Sequence, residues 1–259
     1  MKSLPARARP ARAHTATAAA VTGLLATSLA ATAPAANAST AHSPTAPAPA
    51  AAPVAAGAPV AAGAPGAPFR TTAITGLGGD PIYTSGTRCS LGFNLRRGDT
   101  YFFLTAGHCT RAGGTWTDAS GRTLGITGGT SFPGNDYGIV RYAAPPQDTQ
   151  GGVRAHGAFY DITGVTTPQV GRPVTVAAPS GTRTGQVRAL NVTVNHQEGA
   201  VTGLIRISVC SEPGDSGAPV FADHLAIGIL VGAEGRCPGG TSFVQPIGEP
   251  LDAYGLEVY

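Results

Sequence analysis

From Thr75 onward the chain alternates short runs rich in Val, Ile, Tyr, Phe and Thr with Gly, Asn, Asp and Pro punctuation. That is the pattern of strands laid over a buried face and broken by turns. The runs predict strands at Tyr101 to Leu104, Gly138 to Tyr142, Pro173 to Ala177, Val187 to Val194, Leu204 to Val209 and Leu225 to Val231. Helical spacing of apolar residues is scarce and predicts only one short helix, from about Ile247 to Tyr254. The pattern therefore predicts an all-β domain.

The stretch before it reads differently. Residues 1–14 carry Lys2, Arg7, Arg9 and Arg12 with no acid, an Ala-rich apolar run follows to about Ala33, and Ala36-Asn37-Ala38 offers a small-residue cleavage site. This order predicts a signal peptide over residues 1–38. Residues 39–75 are dominated by Ala, Pro, Gly, Ser and Thr, with Ala52 to Gly57 repeated at once as Ala58 to Gly63. Such a segment has little to bury, so it is expected to be an extended disordered tether or a short pro-segment. The folded domain is then expected over residues 76–259.

The formal charge of +3 changes meaning on that division. Of the 17 basic residues, four lie in the first 14 positions, which leaves 13 Arg against 14 acids in the remainder. Nucleic-acid binding needs a concentrated basic face, and none is visible. No membrane association is expected after processing.

Four cysteines behind a signal peptide read as a disulfide framework. Three pairings are possible, and spacing favours Cys89 with Cys109 and Cys210 with Cys237. A metal site is not expected, since no C-x-x-C pair is present and neither is a cofactor motif.

The candidate chemistry lies in three motifs. Gly214-Asp215-Ser216-Gly217-Ala218-Pro219 follows Thr105-Ala106-Gly107-His108-Cys109 and Asn135-Asp136-Tyr137-Gly138-Ile139-Val140. A serine hydroxyl is a poor nucleophile at neutral pH, so it needs an imidazole within hydrogen-bond reach and an acceptor that fixes the imidazole tautomer. Taken singly, each motif also reads as a turn or a strand entry. Together they supply nucleophile (Ser216), base (His108) and carboxylate (Asp136) in the order His, Asp, Ser.

These motifs, with Arg88 to Asn94, Tyr101 to Thr110, Ser131-Phe132-Pro133, Cys210 to Ser216 and the terminal Ala253 to Tyr259, resemble the chymotrypsin-like serine proteases, specifically the secreted bacterial streptogrisin branch. The resemblance implies two antiparallel six-stranded β-barrels, about 76–165 and 166–259, with a short C-terminal helix and the site in the cleft between them. It implies catalytic roles for His108, Asp136 and Ser216, an oxyanion hole from the backbone N–H groups of Gly214 and Ser216, and the same two disulfides. Ser208, Val209, Leu230, Gly232, Ala233 and Thr241 would wall the substrate pocket. No acid stands at its base to receive a basic side chain, and no His stands at the Leu230 position of acid-cleaving relatives. A secreted monomer acting on protein or peptide substrates is the implied activity.

Three departures accompany the resemblance. Val231 stands where relatives carry a serine that hydrogen-bonds the catalytic aspartate. Val176 stands where they carry an arginine that pairs with the aspartate before the nucleophile, so Asp215 is expected to lack its usual partner unless Arg172 or Arg183 replaces it. Residues 39–75 are also too short and too poor in apolar residues for the folded pro-domain of relatives. The first two departures motivate a second reading, a catalytically silent binding protein on the protease fold.

Overall fold

A computed structural model describes residues 76–145 and 151–259. The predicted signal peptide and tether lie outside the described residues.

The first half builds β1 (Pro81–Thr84), β2 (Thr87–Ser90), β3 (Asn94–Arg97), β4 (Thr100–Thr105), a single helical turn α1 (Gly107–Thr110), β5 (Thr115–Thr117), β6 (Thr123–Ser131) and β7 (Tyr137–Tyr142). A small hairpin, β8 (Gly152–Ala155) and β9 (Ala158–Asp161), and the short β10 (Gly164–Val165) lead into the second half. There follow β11 (Pro173–Ala178), β12 (Gly181–His196), β13 (Gly199–Ile207), β14 (Pro219–Ala222), β15 (Leu225–Glu234) and β16 (Thr241–Pro246). The chain ends with α2 (Gly248–Tyr254) and β17 (Glu257–Val258).

Sheet order explains how each half closes. The first sheet runs β17-β3-β4-β7-β6-β5-β1-β2. β2 and β3 are halves of one run, and between them Gly92 N–H still donates to Leu104 O at 2.7 Å. Counting β2 and β3 as one bent strand turns the order into a ring of six, with β17 added at an edge. In the second sheet the order β15-β14-β11-β12-β13-β16 is closed by direct β15–β16 pairing, again six strands, with β10 parallel alongside β15. Closure removes the open edges that would otherwise invite pairing with other chains.

Burial follows the alternation of the strands. Trp116, Phe93, Phe103, Leu91, Leu95 and Leu104 are fully buried in the first half, and Val201, Leu204, Ile229 and Val231 of the second half join the same apolar cluster. Val174, Val176, Val187, Ile205, Ile207 and Val220 fill the second ring separately. The shared cluster fixes one ring against the other, which holds residues from both in register at their junction. Helix α2 stops at Gly255, whose φ of +59° is favoured by glycine and whose N–H caps Leu251 O.

Candidate active site

His108 sits on α1, directly after β4. Its backbone N–H donates to Asp136 Oδ1 and its ring Nδ1 faces Asp136 Oδ2, both at 2.8 Å. An ionised carboxylate accepts only, so Nδ1 carries the ring proton and Nε2 keeps its lone pair for a substrate-side proton. Asp136 precedes β7 and is completely buried, while the His108 side chain is one-third exposed. The buried amide of Gln245 on β16 anchors Asp136 from behind: Oε1 accepts Asp136 N–H at 2.8 Å, and Nε2 donates to Glu249 Oε2 of α2 at 3.0 Å. Gln245 is a supporting residue that the motif reading missed. Only its place beside buried Val244 in a strand, with a polar side chain turned inward, signals it.

Ser216 lies between two glycines in left-handed conformation, Gly214 (φ +96°) and Gly217 (φ +91°). The turn leaves the N–H groups of Gly214 and Ser216 without an acceptor among the described residues, while Asp215 N–H is taken by Glu212 O at 3.0 Å. Two N–H donors left unpaired in one turn beside a serine hydroxyl are what a developing oxyanion needs.

Of the two arginines considered for Asp215, the surroundings favour Arg183. The buried Asp215 carboxylate accepts from Ser180 Oγ at 2.5 Å and from Glu212 N–H at 2.9 Å, and Arg183 Nη1 stands 3.8 Å away while donating to Ser180 Oγ at 2.7 Å. Val176 and Arg183 face each other across the β11–β12 ladder. A guanidinium missing from one strand is thus supplied by the opposite residue of its neighbour. Arg172 does not take part; it donates to Thr166 Oγ1 at 3.0 Å.

Ser216 and His108 come from different rings, and Ser90 connects them. Its N–H donates to Ser216 O at 2.8 Å and its hydroxyl to Gly214 O at 3.0 Å. Next to it, Cys89 is bonded to Cys109, the neighbour of His108. Cys210 is bonded to Cys237. The sulfurs of Cys89 and Cys109 lie close enough to the His108 ring to suggest a metal cluster, but both are consumed in the disulfide. No hydrogen bond joins Ser216 Oγ to His108 among the described residues, and such bonds often tighten only when substrate is bound.

A cavity of about 610 Å³ opens beside Ser216. Of the six residues expected at the substrate pocket, Leu230, Gly232 and Ala233 line this cavity and Ser208, Val209 and Thr241 do not. Ser208 turns its hydroxyl to β12, accepting Gln186 N–H at 3.1 Å. Val209 is buried and its carbonyl takes the Ser242 hydroxyl at 2.7 Å, while Thr241 Oγ1 accepts from Arg206 Nε at 3.3 Å. The rest of the cavity lining comes from Ser211, Glu212, Pro213, Gly235, Arg236 and Cys237, the residues around the second disulfide and before Ser216. Val231 is buried in the shared apolar cluster and offers Asp136 no donor.

No protein-family model matches the chain. Streptogrisin-D of Streptomyces griseus is 45% identical over 188 residues, covering 70% of this chain and 47% of that protein. Glutamyl endopeptidase 2 of Streptomyces griseus is 41% identical, covering 71% of this chain and 99% of that protein. A solved glutamic-acid-specific serine protease, described as using a novel histidine triad in substrate binding, matches with a TM-score of 0.67 and 41% identity over 71% of this chain and all of that one. The chain spans about half the length of several of its relatives, streptogrisin-D among them. With this shared sequence, fold and motif order, the chain belongs to the chymotrypsin-like serine proteases, in their streptogrisin branch.

Proposed function

We propose that the protein is a secreted serine endopeptidase that cleaves peptide bonds through an acyl-enzyme on Ser216. The observation that carries this reading is the two-point grip of Asp136 on His108, together with a serine in a turn that leaves its own N–H and that of Gly214 without an acceptor among the described residues. His108 Nε2 takes the Ser216 proton as Oγ attacks the scissile carbonyl, and Asp136 compensates the imidazolium. The oxyanion is received by Gly214 and Ser216 N–H, each worth about 3 kcal/mol on the scale of single oxyanion donors. His108 then delivers its proton to the leaving amine, and water repeats the sequence in reverse to free Ser216. Secretion and action as a monomer complete the proposal, supported by the two disulfides. Among the described residues no helix is long and apolar enough to cross a membrane.

The silent-binder reading depended on two missing supports, and Arg183 supplies one of them. The other, Val231, is a quantitative handicap. Each Asp136 oxygen accepts one bond, both from His108, and a carboxylate has room for more. Val231→Ser is expected to raise kcat between about twofold and tenfold with little change in KM, because an added charge-assisted bond acts mainly in the transition state. Unchanged or lower kcat with a lower Tm would show that the valine is a settled part of the core and that the hydroxyl is buried unpaired.

For the side chain before the cleaved bond we propose Leu, Met or Ala. Leu230 gives the cavity an apolar wall, and Ala233 adds a methyl that a flat ring meets first, a mismatch worth roughly 1 to 3 kcal/mol. Arg, Lys and Glu are disfavoured. The charged lining residues, Glu212 and Arg236, are opposite in sign and exposed, and no histidine lines the cavity. A panel of peptides varied at that position tests this, and a tenfold preference for Phe or Tyr over Leu would contradict the Ala233 argument.

A further inference from the structure

The Leu230 cavity takes the side chain before the cleaved bond, and the first ring offers a separate groove for the substrate residues after that bond. A β-carbon placed on Gly214 would lie 3.2 Å from Arg88 Nε and 3.3 Å from its Cδ, so the arginine stem runs along the residue that supplies one oxyanion donor. Arg88 is exposed on β2 and makes no ion pair among the described residues, whereas Glu212 is held by Arg183 and Asp215 is buried and bonded to Ser180 and to Glu212 N–H. The groove beside Arg88 has a volume of about 350 Å³ and is lined by Tyr83, Thr84, Thr87, Thr115 and Thr117, with Arg88 as its one charge. Thr84 Oγ1 in that lining is buried without a hydrogen-bond partner.

The cavity is lined wholly by the second half of the chain and the groove wholly by the first, with Gly214 and Ser216 at their junction. A peptide whose carbonyl oxygen meets the Gly214 and Ser216 N–H groups, and whose preceding side chain fills the cavity, leaves across Gly214 toward Arg88. We propose that Arg88 is a specificity-determining residue that selects an acidic side chain at the first or second position after the cleaved bond. The proposal rests on the endopeptidase reading above. Arginine suits the role because its planar fork receives a carboxylate at two points and stays charged at any working pH.

The test compares peptides that share Leu before the cleaved bond and carry Glu or Lys at the first or second position after it. The readout is the ratio of kcat/KM for the Glu and Lys members, which cancels the fraction of enzyme that is folded. In the full chain at low salt the ratio is expected to favour Glu by about three- to fivefold, the range of an exposed ion pair, and to shrink as salt is added. Arg88→Gln should bring it near one, Arg88→Glu should invert it, and Arg88→Lys should keep its sign. A ratio that stays the same in Arg88→Glu overturns the proposal. Leu-anilide substrates, which carry no residue after the cleaved bond, separate the two readings. Their hydrolysis alongside an indifferent ratio leaves the endopeptidase intact, and no hydrolysis by the unaltered chain would remove both.

Discussion

Ser216→Ala is expected to lower peptide hydrolysis by about four to six orders of magnitude while leaving Tm within about 2 °C, since nucleophile and base act as a unit. The fold is untouched because the Ser216 contact that matters to it is backbone: its carbonyl receives Ser90 N–H at 2.8 Å, and its hydroxyl holds no bond among the described residues. His108→Ala should cost as much activity but also stability. It strips the 2.8 Å ring partner from Oδ2 of a fully buried carboxylate and leaves only the backbone N–H bond to Oδ1, and an unsatisfied buried acceptor costs about 1 to 3 kcal/mol. Kinetics and thermal melts of the two variants check this, and near-normal hydrolysis by purified Ser216→Ala would sink the mechanism.

The second large effect is expected at Gly217, next to Ser216. Its φ of +91° disfavours any side chain, and an added methyl would overlap both the Ser90 carbonyl oxygen and the Thr105 hydroxyl, which are themselves hydrogen-bonded at 2.9 Å. Ser90 is the residue that ties Ser216 to the His108 side of the site, so the strain lands on the catalytic geometry as well as on the core. Gly217→Ala is expected to cost about 3 to 5 kcal/mol, a Tm loss of roughly 10 to 15 °C for a domain of this size, with activity reduced beyond what unfolding explains. Gly113→Ala is the control: φ there is +68°, but no atom lies near the new methyl, so about 1 kcal/mol is expected. Equal melting losses in the two variants would contradict the packing argument.

Legibility in the sequence followed the physics of each element. Runs such as Tyr101 to Leu104 and Gly138 to Tyr142 announced β4 and β7 to within a residue because each is a short, mostly buried apolar run. β6 was invisible. Its glycines at 125 and 129 sit where β-carbons would collide with Arg141 and with the Tyr254 ring, and a strand chosen for lack of side chains carries no apolar signal. β12 was read only from Val187 because its first residues are polar, and its pairing with β11 depends on partners distant in space.

The site divides in the same way. His108, Asp136 and Ser216 stood in local motifs, since turn and strand-end chemistry is written in adjacent residues. Arg183 could not be assigned from position alone, because replacing Val176 across a ladder is a relation between strands. The resemblance implies Ser208 and Val209 as pocket walls, but the ladder to β12 turns the serine hydroxyl away. Gln245 was passed over because a lone glutamine in a strand has no motif.

Whether Ser216 is an activated nucleophile decides between an enzyme and a silent protease fold. Treating the purified chain with an organophosphonate that carries an apolar leucine-like side chain, then mapping the adduct by peptide mass analysis, addresses that directly. A single adduct on Ser216, absent in Ser216→Ala and strongly slowed in His108→Ala, is the predicted result. An unlabelled Ser216 in folded protein, or labelling that proceeds equally well without His108, would show that the geometry holds a serine without activating it.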